Sequence, residues 1–123
     1  MNKLEFATKM QARTKLFAVQ VVKLFGMLSK TEEARVLGRQ LLRSGTSVAA
    51  NYRAVCRAKS DADFISKMGT VVEEADETLL WLELFEEAGI CPTRLVQPLK
   101  VESDELLRIF STSLNTAKRN AGR

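Results

Sequence analysis

The strongest constraint in this chain is a spacing. Ala34, Leu37, Leu41, Gly45, Val48, Tyr52 and Val55 follow one another in steps of three and four. That repeat gathers side chains on one face of an α-helix, whereas a strand would scatter them over both faces of a sheet. A helix with so continuous an apolar seam has to bury it, and three further segments offer the matching surface. Met10, Phe17, Val21, Leu24 and Leu28 form the first. Phe64, Met68, Val71, Val72, Ala75, Leu79, Leu82 and Phe85 form the second, and Leu95, Leu99, Leu106, Leu107, Ile109, Phe110 and Leu114 the third. No run alternates with period two for long enough to make a strand. The expected fold is therefore all-α, an antiparallel up-down-up-down four-helix bundle occupying residues 1–123 as one domain, with helices over about 4–29, 31–58, 61–88 and 94–120. Connections this short leave sequential helices as antiparallel neighbours.

The punctuation between the seams agrees with this division. Ser29, Lys30 and Thr31 can cap the second helix, with Ser29 and Glu32 at capping-box spacing. Ser60-Asp61-Ala62-Asp63 supplies a cap and acidic groups at the positive end of the third, and Ala88-Gly89 closes it. Pro98 is expected to kink the fourth helix or delay its start. Gly45 costs roughly 1 kcal/mol of helix propensity, so its place on the seam implies either a close helix approach or a local bend.

Composition narrows the function classes. The chain has no histidine, which removes the commonest general base, the usual activator of nucleophiles and the Glu-x-x-His ligands of di-iron bundles. No Walker or Rossmann glycine pattern replaces them. Glu73 and Glu77 face the same way one turn apart, a spacing as common on solvated helices as at cation sites. Catalysis is not expected, nor is a cofactor or a metal. Cys56 and Cys91 belong to no CxxC or Cys/His cluster and read as reduced thiols. The charged N-terminus lacks an apolar signal core, and no stretch is apolar enough to span a bilayer, so a cytoplasmic protein without a membrane partner is expected.

Charge is distributed unevenly. Residues 1–59 carry 12 Lys/Arg against 3 Asp/Glu, whereas residues 60–123 carry 7 against 12, so a half of +9 faces a half of −5. Within the basic half Arg35, Arg39, Arg43, Arg53 and Arg57 fall on one helical stripe, with Thr46 and Ala50 completing the progression. Basic residues on the outer face of the first helix (Lys9, Arg13, Lys23 and Lys30, beside Gln20) can extend it. Guanidiniums in a row neutralise phosphates through multidentate hydrogen bonds, which points to an RNA or DNA backbone. The same stripe would equally pair with the acidic third helix, where Glu73, Glu74, Asp76, Glu77, Glu83, Glu86 and Glu87 accumulate, inside a subunit or between subunits. Ser44, Ser47, Asn51, Ala54 and Ala58 form an adjacent face of small residues suited to close packing, in which the Asn51 amide needs partners and can fix register. Trp81 reads as core or as the anchor of a partner surface.

Three blocks carry a resemblance: Gly45-Thr-Ser-Val-Ala-Ala-Asn-Tyr-Arg53, Arg57-Ala-Lys-Ser-Asp-Ala-Asp-Phe-Ile-Ser-Lys-Met68 and Glu74-Ala-Asp-Glu-Thr-Leu-Leu-Trp-Leu-Glu-Leu-Phe85. Together they resemble the four-helix-bundle proteins first noticed in intervening sequences of bacterial 23S ribosomal RNA genes, over nearly the whole chain. The resemblance implies a bacterial cytoplasmic bundle that assembles into a ring-shaped homopentamer, and it supplies no established activity. It suggests Asn51, Tyr52, Arg53, Asp63, Phe64, Lys67, Glu74, Glu77 and Trp81 as motif or interface positions. Where many relatives read Asn-Tyr-Arg-Glu-Ala, this chain has Ala54-Val55 after Arg53, so any role of that glutamate is missing here. A similar bundle is the accessory protein of diversity-generating retroelements, so a reverse transcriptase is a partner by analogy only. The expectation is a non-enzymatic homo-oligomer associated with nucleic acid, the alternative an oligomeric scaffold or adaptor whose Arg face mates with acidic faces of other subunits.

Overall fold

The structure, a computed structural model, describes residues 1–122. Four helices follow in order: α1 (Lys3–Met27), α2 (Glu32–Val55), α3 (Asp61–Glu87) and α4 (Thr93–Ala121). They form an antiparallel up-down-up-down bundle in which α2 packs between α1 and α3, α3 between α2 and α4, and α1 meets α4 more sparsely. The buried apolar side chains of all four helices make one cluster, with Phe17, Phe85 and Phe110 its largest members. Each apolar position named from the spacing in α2 and α3 is buried or packs against this cluster, apart from Leu79, which is half-buried beside it.

The helix ends show how local chemistry sets the boundaries. Thr31 caps α2, its Oγ1 accepting the Ala34 N–H at 3.3 Å, so the Ser29–Glu32 box is not formed and the helix begins at Glu32. Ser60 caps α3, accepting the Asp63 N–H at 3.0 Å. Asp63 in turn accepts the Lys59 N–H at 3.0 Å and Lys67 Nζ at 2.7 Å. The α3 terminus is a Schellman motif: Gly89 adopts φ +66°, Ile90 N–H reaches Phe85 O at 2.9 Å and Gly89 N–H reaches Glu86 O at 3.2 Å. Pro98 does not delay α4. The helix starts at Thr93 and carries Pro98 in its second turn, on the exposed side, at the cost of one backbone bond.

Close approach, not a bend, explains Gly45. A Cβ there would lie 2.9 Å from Val21 Cγ2 and 3.0 Å from Val21 Cγ1, both fixed close to the α1 backbone. Gly45→Val therefore gains nothing from better helix propensity, because its branched side chain forces α1 and α2 apart. A loss of about 2–3 kcal/mol is expected in urea unfolding, and a variant as stable as the parent would show that the two helices are not seated on each other.

Polar contacts also tie the helices together, among them a buried hydroxyl pair and an ion cluster. Ser44 and Thr78, both buried, bond hydroxyl to hydroxyl at 2.9 Å between α2 and α3. Arg13, expected on the outer face of α1, turns instead to α4, where Nε and Nη2 each reach Glu102 at 2.7 Å and Nη2 also reaches Glu105 at 2.9 Å. Arg13 follows Met10 by three residues and precedes Phe17 by four, which puts it at the edge of the buried stripe. The hydrogen bonds to Glu102, and then to Glu105, push the guanidinium pKa further above its already high value. Arg13 is thereby withdrawn from the basic surface and closes the sparse α1–α4 side.

Candidate nucleic-acid interface

Arg35, Arg39, Arg43 and Arg53 leave α2 on the side away from the core and Arg57 follows just past its C-cap, all of them exposed. They do not share one fate. Arg43 turns toward α3, where its guanidinium forms ion pairs with Glu74 at 3.3 Å and with Glu77. Glu77 also accepts from Trp81 Nε1 at 3.3 Å. Trp81 is half-buried, packed against the core on one side and joined on the other to this α2–α3 ion cluster. Pairing within the chain, one of the two readings of the stripe, thus describes Arg43. Arg35, Arg39, Arg53 and Arg57 make no ion pair and no side-chain hydrogen bond among the described residues. From Arg35 to Arg53 the helical part of the row extends over about 27 Å at 1.5 Å per residue.

The motif positions separate into different environments. Tyr52 is buried and its ring packs on Phe110 of α4, centroids 5.0 Å apart and planes 31° apart. Burial, with Cys56 beside it, pushes its phenol pKa upward. Asn51 donates to the Ser47 carbonyl at 2.8 Å, so its amide bond stays inside α2, and the cross-helix polar contact belongs to Ser44 and Thr78 instead. Phe64 is half-buried against the end of the core, while Asp63 and Lys67 bridge one turn of α3. Cys56 is exposed, Cys91 half-buried, and neither is in a disulfide.

The hydrogen bond from Lys67, reinforced by the Lys59 N–H, holds the Asp63 carboxyl below its ordinary value of 3.8. A depressed native pKa contributes stability that is complete above the unfolded value and is lost as pH falls through the native one. Asp63→Asn is therefore expected to lower the urea midpoint at pH 7, with the gap from the parent narrowing toward pH 2–3. A gap that stays constant between those pH values would show that the charge of Asp63 does not matter.

One surface is not among those the sequence singled out. Leu4, Ala12, Leu16, Val19 and Val22 are all exposed and run down α1 opposite its buried side, with exposed Thr8 filling the one gap in the row. Steps of four and three connect these positions just as they connect the core seam. The lysines interleaved with them mask the pattern. The outward side of α3 is by contrast acidic, with Glu73, Asp76 and Glu87 exposed around Leu80. Among the described residues no group of His, Cys, Asp or Glu is arranged to hold a metal ion, and no helix is long and apolar enough to cross a membrane.

Comparison with known proteins brings the chain next to two descriptions. The model of the 23S rRNA-intervening sequence protein family matches residues 7–112. The crystal structure of a protein of unknown function from the S23 ribosomal protein family of Bacteroides thetaiotaomicron, at 1.70 Å resolution, superposes with a TM-score of 0.78 at 33% identity, covering 85% of this chain and 96% of that one. No curated protein matches.

Proposed function

Because the chain belongs to the 23S rRNA-intervening sequence protein family, whose description assigns no activity, we propose from its surface that it binds nucleic-acid backbone through the outer side of α2, without catalysis, as a homo-oligomer. The observation that carries this reading is the contrast along one stripe. Arg43 is engaged by Glu74 and Glu77, whereas Arg35, Arg39, Arg53 and Arg57 keep their donors for phosphate.

Self-association is supported by the second stripe. The exposed apolar row of α1 lies among lysines, and the acidic outward side of α3 carries Leu80, so α1 of one copy suits α3 of the next in charge and apolar character. Such a contact joins two different faces, which makes it head-to-tail and lets it close into a ring. On this reading the α1–α3 contact, and not the α2 arginines, lies between subunits. The alternative scaffold reading would have the arginines themselves mate with the next copy.

The test is binding of structured and random RNA, and of duplex DNA, over a salt series from about 50 to 200 mM. The expected result is micromolar or tighter binding that weakens steeply with salt. Absence of salt-dependent binding at micromolar protein sinks the reading. Sedimentation of Leu16→Glu and of Arg39→Glu distinguishes the two assembly modes: the first dissociates the oligomer if α1 is the interface, the second if the Arg face is.

A further inference from the structure

A cleft lies apart from most of the arginine row. It lies at the end of the bundle where α1 and α3 begin and α2 and α4 finish, and holds about 860 Å³, within the range of small-ligand pockets. Its apolar lining is unusually aromatic for this chain. Phe6, Tyr52 and Phe64 come from three different helices, joined by Val55 and Met68. Tyr52 is buried against Phe110, while Phe6 and Phe64 on the same lining are only half-buried. The fourth helix contributes polar groups one turn apart: Thr112, Thr116 and Asn120, steps of four on one face of α4. The ionised side chains on the lining are Lys3, Lys59 and Asp61, a net positive rim, and Arg53 and Arg57 stand on the exposed side of the same end of α2.

Aromatic faces, hydrogen-bonding groups beside them and cations at the mouth are together the requirements of one kind of guest. A flat heterocycle stacks on the rings, its edge meets the hydroxyls and amide, and the phosphate attached to it meets the lysines. A paired base cannot present itself this way, since its faces are covered in the duplex stack. We infer that this end cleft seats one unpaired base of the nucleic acid whose backbone lies along the arginines of α2, so that the protein prefers looped or bulged strands to continuous duplex. The inference rests on the phosphate-binding reading of α2 and adds to it the form of the ligand. A plain basic surface selects for charge density alone, whereas this arrangement adds stacking, which only a splayed base can receive.

The experiment compares a hairpin RNA carrying one bulged 2-aminopurine with the same hairpin lacking the bulge, both closed by a non-nucleotide linker so that no loop base is unpaired, over the same salt series, for the parent and for Phe64→Leu. Leucine stays apolar and removes the stacking face, and circular dichroism confirms the helices. The parent should bind the bulged hairpin roughly 5- to 150-fold more tightly, the increment that base stacking on an aromatic side chain supplies, and the bulged base should become shielded from acrylamide. Phe64→Leu should bring the two hairpins close to parity while leaving affinity for the paired one and its salt dependence unchanged. Equal binding of the two hairpins by the parent, or a bulged base that stays open to acrylamide at saturation, overturns the cleft and leaves the α2 reading standing. Failure to bind either hairpin overturns both. If Phe64→Leu instead alters sedimentation without altering hairpin preference, the cleft is covered by a second copy and the inference is wrong.

Discussion

Phe110→Ala is expected to lower the unfolding free energy by about 3–5 kcal/mol, the cost of an aromatic truncated in a packed interior. Phe110 is fully buried at the meeting of α4 with the other helices, and deleting its ring also removes the contact with Tyr52 at 5.0 Å, an interaction worth about 0.5–1.5 kcal/mol of its own. The bundle has little means of collapsing onto the void, because the ring lies in a core shared by all four helices. Urea unfolding would show the loss as a lower midpoint at unchanged slope. Val101→Ala provides the comparison: Val101 is 54% exposed on α4, so its truncation should stay within about 0.5 kcal/mol. Should the two variants lose the same amount, the core is not where the buried side chains place it.

The fold is legible because each helix repeats one signal many times. Seven positions in steps of three and four identify α2 whatever any single residue contributes, and the expected ends of all four helices fall within three residues of those found. The deviations occur at single-residue decisions. Thr31 caps α2 in place of Ser29, since only the residue at the actual boundary can turn its hydroxyl to a free N–H, and several candidates stand side by side. Pro98 reads as a break, yet one missing donor is tolerated in a helix fixed along its length by Val96, Leu99 and Leu106.

Side chains on the flanks of a stripe are far less legible. Arg13 sits at the edge of the buried stripe of α1 and Arg43 on the exposed side of α2, and spacing alone cannot say which way either long flexible side chain turns. What decides is an acid on another helix, Glu102 and Glu105 for one and Glu74 and Glu77 for the other. Neither partner is near in sequence. The same holds for the end cleft: Phe6, Tyr52 and Phe64 come from three separate helices, and only the bundle brings them around one opening. Tyr52 and Phe64 do stand out through the family blocks, and Phe6 gives no signal beyond being apolar.

The division among the arginines yields the largest functional effect. For each phosphate a cation neutralises, log K falls with log salt by about 0.9 on duplex DNA and about 0.7 on single strands. If Arg35, Arg39, Arg53 and Arg57 each take one phosphate, the slope is about −3 to −4, and affinity falls by about two orders of magnitude between 50 and 200 mM salt. Replacing any one of the four by glutamine should flatten the slope by about one unit, and replacing all four should remove the salt-dependent binding. Arg43→Gln is the internal control. Its guanidinium is held by Glu74 and Glu77, so the slope should persist, while the exposed ion pairs it loses cost at most about 1 kcal/mol of stability. A stripe acting merely as diffuse positive charge would make all five substitutions equivalent, because Arg43 contributes the same unit of charge as its neighbours. Unequal slopes, with Arg43 silent and the other four effective, follow only if the geometry of free and engaged guanidiniums is what meets the phosphates.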